Sequence, residues 1–86
     1  MRIIRLNLFK EDYKKLPQNI QKQADEKIIL LINNPRHPSL RSKKIQGMKE
    51  IWEGRITKRI RFTFQIIKDT YILQRIGEHN EVLRKP

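Results

Sequence analysis

The sequence contains no cysteine, only three glycines and few acidic side chains. Without cysteine, neither a disulfide nor a thiolate metal site can hold the fold. The two histidines alone make a poor zinc set, so we expect no metal and no cofactor. The glycines form no phosphate-binding loop of the P-loop or dinucleotide type.

Long hydrophobic runs are also missing. The apolar run at residues 28–32 is far too short to span a bilayer. The first residues lack the long apolar stretch of a signal peptide. We therefore expect a cytoplasmic protein without a membrane partner. A chain of 86 residues fits a single domain, 1–86, with one small core.

Basic side chains are abundant. The chain has 20 Lys and Arg against 9 Asp and Glu, which gives a formal net charge of +11. Such a surface attracts polyanions, and nucleic acid is the commonest partner of this kind. An acidic protein is the alternative that the charge leaves open.

The hydrophobic pattern predicts an α+β fold of order β-α-α-β-β-β. Two N-terminal helices would pack on a four-stranded, mostly antiparallel sheet. Helical spacing of apolar residues marks the longer helix, and alternation marks the strands. The predicted strands are 2–8, 51–56, 60–67 and 70–77, and the predicted helices are 10–16 and 17–33.

A long basic connection at residues 35–49 joins the second helix to the later strands. Loops of this length in small domains are often functional. The alternative is a solvated connector whose lysines merely remain in water. Its basic and histidine side chains are Arg36, His37, Arg41, Lys43, Lys44 and Lys49.

The predicted strand 60–67 alternates strictly, so we expect one face on the helices and one open face. Arg61 falls on the open face, and a tight turn brings Arg55 of the preceding strand near it. Like charges side by side cost free energy unless an anion such as a phosphate lies between them. Alternatively, each arginine pairs with a carboxylate such as Glu53 or Glu78. The spacing leaves both alternatives open.

His79 follows directly after the last predicted strand. Histidine is well suited to proton transfer near neutral pH. Arginines that hold a phosphate beside a histidine can cleave RNA without a metal, because the ribose 2′-hydroxyl attacks the adjacent phosphate. DNA lacks this hydroxyl, so such chemistry requires RNA.

Several stretches together resemble one family. They are the strand "MRIIRLN", the helix and stop "LPQNIQKQADEKIILLINNPRHPSL", the run "RSKKIQGMKEIWEGRITKRIRFTFQI" and the ending "ILQRIGEHNEV". In order and spacing they are similar to the RelE/ParE superfamily of toxins from type II toxin–antitoxin modules, and most to its RelE branch. The resemblance implies ribosome-dependent, metal-independent cleavage of mRNA in the 30S A site. It also implies an acidic antitoxin partner.

The resemblance implies roles for individual residues. Arg61 matches the arginine that contacts the scissile phosphate, His79 an assisting acid or transition-state contact, and Arg55 a basic position on the preceding strand. Lys43 and Lys44 look like a basic loop that contacts RNA. The residues expected to bind RNA or the ribosome are Lys43, Lys44, Arg41, Lys49 and Arg59.

Two departures from the family pattern leave alternatives. The stretch "HPSLRSKK" has no carboxylate where some members carry a glutamate as general base, so Glu53, Glu50 or His37 are candidates for that role. The ending "EHNEVLRKP" has no aromatic residue to stack on a base. A ParE-like inhibitor of DNA gyrase, or a degenerate homologue that only binds RNA or an antitoxin, is compatible with the same fold.

Overall fold

Five strands and three helices make up the computed structural model, which describes residues 2–47 and 50–86. The sheet order is β1-β5-β4-β3-β2; β1 runs parallel to β5, and the other pairs are antiparallel. A short 3-10 turn, Pro38–Leu40, precedes β2. The elements are β1 Arg2–Arg5, α1 Asn7–Lys14, α2 Gln18–Asn33, β2 Lys43–Lys44, β3 Trp52–Arg55, β4 Ile60–Ile67, β5 Thr70–Glu78 and α3 His79–Arg84.

The predicted α+β class is confirmed, but the number of strands is not. Lys43 and Lys44 pair with Glu53 and Trp52, so part of the connection 35–49 is a fifth strand rather than a loop. Two residues are too few to show an alternating pattern, and for that reason the sequence did not reveal this strand. No helix within the described residues is both long and apolar enough to cross a membrane.

The N-terminal strand is shorter than the predicted 2–8. It ends at Arg5, the Leu6 amide donates a hydrogen bond to the Leu73 carbonyl, and α1 begins at Asn7 instead of near residue 10. An early helix start places Phe9 in the core, where its side chain is buried. Burial of a phenylalanine contributes roughly 1.5–3 kcal/mol relative to exposure, which outweighs the strand propensity of this short segment.

The core lies between one face of the sheet and the helices α1 and α2, and we call this the helix face. Ala24, Ile28 and Leu31 form the buried stripe of α2, as their helical spacing predicted. Phe62 and Phe64 of β4 are fully buried in the same cluster. The tight hairpin predicted at Lys68-Asp69 is present, and Lys68 has a positive φ of 55° there.

An irregularity in the hairpin keeps the core continuous. Thr63 pairs with Arg75 and Phe64 with Leu73, so Gln74 is an extra residue in β5. A bulge of this kind shifts the alternation by one residue. Leu73 and Ile76 are three apart in sequence, yet both are therefore buried on the helix face.

Gly54 allows the sheet to accept a large ring. It lies opposite Phe62, and a Cβ atom at Gly54 would be 2.5 Å from the Phe62 ring carbons Cε1 and Cζ. Carbon atoms do not approach so closely without displacement, so β3 can run beside Phe62 only with glycine here. The strand that carries Glu53 and Arg55 is positioned by this contact.

The second face of the sheet, expected to be open, is partly covered. The helix α3, which the sequence analysis did not predict, folds back over it, and its Val82 is buried. A Cβ atom at Gly77 would be 3.5 Å from Val82 Cγ1, which places α3 over the face that carries Arg61. Thr63 on this face is also fully buried. The prediction of an open face was therefore wrong over the area that α3 covers.

Candidate active site

The strand register collects charged residues on the second face of the sheet, which we call the basic face. Lys43 lies opposite Glu53, and Arg55 lies directly opposite Arg61. Directly paired residues of antiparallel strands project to the same side. Lys43, Glu53, Arg55 and Arg61 therefore share one face, which α1 and α2 do not cover.

Arg61 is held in place by two acceptors. Its Nη1 donates to Glu53 Oε1 at 3.3 Å, and its Nη2 donates to the Lys58 carbonyl at 2.9 Å. Its Nε is buried and has no partner among the described residues. Of the two alternatives left by the sequence, the structure contains the carboxylate pairing for Arg61. Because the distance to Glu53 is long and each terminal nitrogen carries a second N–H, the guanidinium keeps capacity for a further acceptor.

A groove brings Arg61 and His79 together. It lies between the β3–β4 turn and the start of α3, and its volume is about 870 Å³. Arg59 of the turn lines the same groove, and its carbonyl accepts a hydrogen bond of 2.8 Å from the His79 amide. We call this the arginine–histidine groove. The remaining lining residues are Thr57, Lys58, Glu78, Asn80 and Glu81.

His79 is positioned by the junction between β5, which ends at Glu78, and α3. It is the first residue of α3, and the bond from its amide to Arg59 ties the helix start to the β3–β4 turn. Its ring Nδ1 lies 3.4 Å from Asn80 Oδ1. The side chain is half-buried, so the ring is accessible from the groove. A histidine at this point can give a proton to, or accept one from, a group held by Arg61.

The other candidates for RNA binding are distributed over several places. Lys44 lies on the helix face, where its Nζ is 5.6 Å from the Trp52 ring centre. The prediction that Lys43 and Lys44 form one basic loop is wrong, because neighbours in a strand point to opposite faces. Arg41 has a left-handed backbone and lines a different groove, near the helix face. Lys49 lies outside the described residues.

The three candidates for a general base are also separated. Glu53 is on the basic face, but its side chain is only 4% exposed and it is paired with Arg61. His37 lines the groove near the helix face, and its Nδ1 accepts a hydrogen bond from the Ser39 amide. Glu50 is exposed, with a positive φ of 60°. In contrast, Glu78 and Glu81 line the arginine–histidine groove itself.

Sequence reasoning missed a third arginine on the basic face. Arg75 lies opposite Thr63, and its Nε and Nη2 donate to the two carboxylate oxygens of Asp12 at 2.7 and 3.2 Å. Its Nη1 donates to the Lys85 carbonyl at 3.1 Å, at the end of α3. The hydrogen bonds that Arg75 donates to Asp12 raise the pKa of Arg75 above its ordinary value. The bulge hid this residue, because simple alternation places it on the wrong face.

Asp12 also provides a hydrogen-bond acceptor at the edge of β5. The strand β1 pairs only with Thr70–Leu73, so the amides beyond that point need other acceptors. Asp12 Oδ2 accepts a hydrogen bond of 3.2 Å from the Ile76 amide. One carboxylate of α1 therefore anchors both Arg75 and the edge of the sheet, and Arg75 in turn anchors the end of α3.

A metal centre has no obvious place in this arrangement. Residues 2–47 and 50–86 contain no group of three or more histidine, aspartate and glutamate side chains that could hold a metal ion. The groups that meet in the arginine–histidine groove are cations, carboxylates and one imidazole.

Comparison with known proteins gives matches in structure only. No protein-family model and no curated protein sequence matches this chain. YafQ from E. coli strain BL21(DE3) superposes with a TM-score of 0.80 at 17% identity, over 95% of this chain and 98% of YafQ. The chain has the fold of RelE-like toxins.

Two further structures support this assignment of the fold. The YoeB/ParE toxin from Agrobacterium tumefaciens gives a TM-score of 0.79 at 16% identity, over 92% of this chain and 99% of the toxin. The RelB-RelE antitoxin-toxin complex from Methanococcus jannaschii gives 0.77 at 22% identity, over 96% of this chain and 99% of the matched chain.

Proposed function

We propose that this protein is the toxin of a type II toxin–antitoxin pair and that it cleaves mRNA on the ribosome without a metal ion. The observation that carries the proposal is the arginine–histidine groove, where Arg61 and His79 meet on a RelE-like fold. The net charge of +11 supports an RNA substrate and an acidic antitoxin as partners. The ribosome places the site of action in the cytoplasm.

In this mechanism Arg61 binds the scissile phosphate through its guanidinium. The ribose 2′-hydroxyl attacks phosphorus, the new O2′–P bond forms and the P–O5′ bond breaks. The products are a 2′,3′-cyclic phosphate and a 5′-hydroxyl end. Arg61 stabilises the charge of the phosphorane, with Arg55 beside it on the neighbouring strand. His79 gives the proton to the leaving 5′-oxygen.

The proton of the 2′-hydroxyl requires an acceptor in the same groove. Glu78 and Glu81 are the carboxylates that line it, whereas Glu53 serves to hold Arg61. The imidazole of His79 is the only ring among the groove-lining residues that the structure describes, so base stacking there depends on this side chain. Replacing Glu78 or Glu81 with glutamine should identify which of them acts.

The deciding experiment maps the 5′ ends of mRNA after induction of the wild type and of Arg61→Ala. We expect cuts in phase with codons in the wild type and none above background in the variant. Arg5→Ala is the matched control, because it removes the same charge from an exposed position on β1. Circular dichroism of each purified protein verifies folding. Intact mRNA under toxic expression of the wild type would reject the nuclease and favour gyrase as the target.

A further inference from the structure

A second groove lies near the helix face, at the opposite side of the sheet from Arg61. Residues of the segment 35–42 form one wall, and the end of α2 and strands β3, β4 and β5 form the rest. Its volume is about 600 Å³. Its accessible apolar side chains include those of Trp52, which is half-buried, and Ile66, which is 41% exposed. We call this the apolar groove.

The rim of the apolar groove is cationic. Arg36 and Arg41 line it, and Lys44 is placed over the Trp52 ring. None of these three side chains forms an ion pair within the described part of the chain. No acidic residue is among the described residues that line the groove. A ligand that suits this site combines an apolar body with negative charge.

A buried polar atom inside the groove is also without a partner. The Ser42 hydroxyl oxygen is inaccessible to solvent and forms no hydrogen bond with any described residue. Buried hydroxyl groups normally have a partner, because an unsatisfied one costs free energy.

We propose that the apolar groove binds an acidic segment of a protein partner, which inserts an apolar side chain beside Trp52 and Ile66. The inference rests on the proposed function in one respect, since that function supplies an acidic antitoxin as the partner. Complementary charge selects the segment through Arg36 and Arg41. RNA fits less well, because Phe64 and Tyr71 are about 1% exposed and Lys44 already lies over the Trp52 ring, which leaves little ring face for a base.

The position of the groove has a functional consequence. Lys44 and Trp52 lie on the helix face, whereas Arg55 and Arg61 lie on the basic face. A partner anchored in the apolar groove therefore occupies a site separate from the arginine–histidine groove. It can remain bound to the toxin without contact with the phosphate-binding arginine.

Trp52 makes the proposal directly measurable, because it is the only tryptophan in the sequence. Its fluorescence reports occupation of the apolar groove. The probe is an acetylated peptide that alternates leucine with glutamate and aspartate. A second peptide, with lysine in place of every acidic residue, tests the charge, and an oligouridine RNA tests the nucleic-acid alternative. We expect a saturable change with the acidic peptide only.

Ile66 and Ile67 provide a matched pair of variants. They are neighbours in β4, they are 41% and 51% exposed, and they point to opposite faces of the sheet. Ile66→Asp should raise the Kd of the acidic peptide at least roughly tenfold, equivalent to about 1.4 kcal/mol. Ile67→Asp, with the same change of charge, should leave the Kd unchanged. The double variant R36E/R41E should weaken binding in the same way as Ile66→Asp.

Several other outcomes would contradict the proposal. No fluorescence change up to the solubility limit of the acidic peptide would reject the site, as would equal effects of the two isoleucine variants or equal binding of the lysine peptide. Saturation by oligouridine in competition with the peptide would identify nucleic acid as the occupant instead. Ile66→Asp should keep the mRNA cleavage of the wild type. Peptide binding without any mRNA cleavage would support the apolar groove and reject the nuclease.

Discussion

Arg61 and Arg75 lie on the same face of the sheet, and each is paired with one carboxylate. Arg75 meets both oxygens of Asp12, at 2.7 and 3.2 Å, and a third bond joins it to the Lys85 carbonyl. Arg61 has a single contact of 3.3 Å with Glu53, and its buried Nε has no partner among the described residues. A bidentate pair fixes an arginine in one geometry, whereas a single long contact leaves donors for a ligand. We therefore predict a structural role for Arg75 and a catalytic role for Arg61.

The largest expected difference between the two arginines is in the cleavage rate when each is replaced by lysine. Arg61→Lys should lower the cleavage rate by about 100-fold or more, because an ammonium cannot bind a phosphate through two fixed donors. Arg75→Lys should lower stability and leave the rate per folded molecule unchanged. Cleavage of ribosome-bound mRNA by the purified proteins measures both. Equal losses of rate would show that the two arginines do not differ in role.

The second largest effect is expected from removal of the Asp12 carboxylate, which pairs with Arg75. Asp12→Ala should lower the free energy of unfolding by about 2–3 kcal/mol, because Arg75 and the Ile76 amide both lose an acceptor. Asp25→Ala is the control, since Asp25 accepts one exposed hydrogen bond from Tyr13 and should cost less than about 1 kcal/mol. Urea denaturation gives both values. A smaller loss for Asp12 than for Asp25 would contradict the structural role of Arg75.

A third substitution should displace β3, the strand that carries Glu53, which is the partner of Arg61. Gly54→Ala should destabilise the fold by about 1–3 kcal/mol, because the Phe62 ring must move. Gly77→Ala in β5 serves as the control, since its added methyl group meets Val82 at an ordinary 3.5 Å. Thermal unfolding compares the two variants. If Gly77→Ala proved the more harmful one, the positioning of β3 by the Phe62 ring would have to be abandoned.

Neutralising Glu53 should have the smallest effect on the fold. Glu53→Gln should lower the free energy of unfolding by about 1 kcal/mol, since the glutamine oxygen can still accept from Arg61 and Arg61 keeps its bond to the Lys58 carbonyl. We also expect tighter binding of an RNA oligonucleotide, because Glu53 no longer competes for the guanidinium. Glu50→Gln removes one negative charge from an exposed position and controls for net charge. Equal gains in affinity would mean that net charge alone is responsible.

The sequence predicted the helices and strands in which apolar residues recur at regular spacing over many residues. The stripe of α2 and the strand 60–67 are as expected, since a buried stripe or alternating strand leaves a clear sequence pattern. The proximity of Arg55 and Arg61 also followed from local parity and a short turn. These features depend on neighbours in sequence.

The features that were missed depend on contacts distant in sequence. Lys43–Lys44 is a strand only because Trp52 and Glu53 lie beside it, and α3 is held by Val82 and by the bond from Arg75 to Lys85. The role of Arg75 was hidden by one extra residue in β5. The functional roles of Arg61 and His79 stay predictions, since position alone does not establish chemistry.

The parallel pairing of β1 with β5 has a consequence for synthesis of the chain. Arg2 lies beside Thr70 in the sheet, and Asp12 of α1 bonds to Arg75. The hydrogen bonds of Arg2 and Asp12 across this sheet therefore cannot form until Thr70 and Arg75 have been made. Pairings so distant in sequence make folding slow, because a long loop must close first. A nascent chain that lacks β5 and α3 cannot assemble the arginine–histidine groove, so this site forms only after His79 and Glu81 have been made.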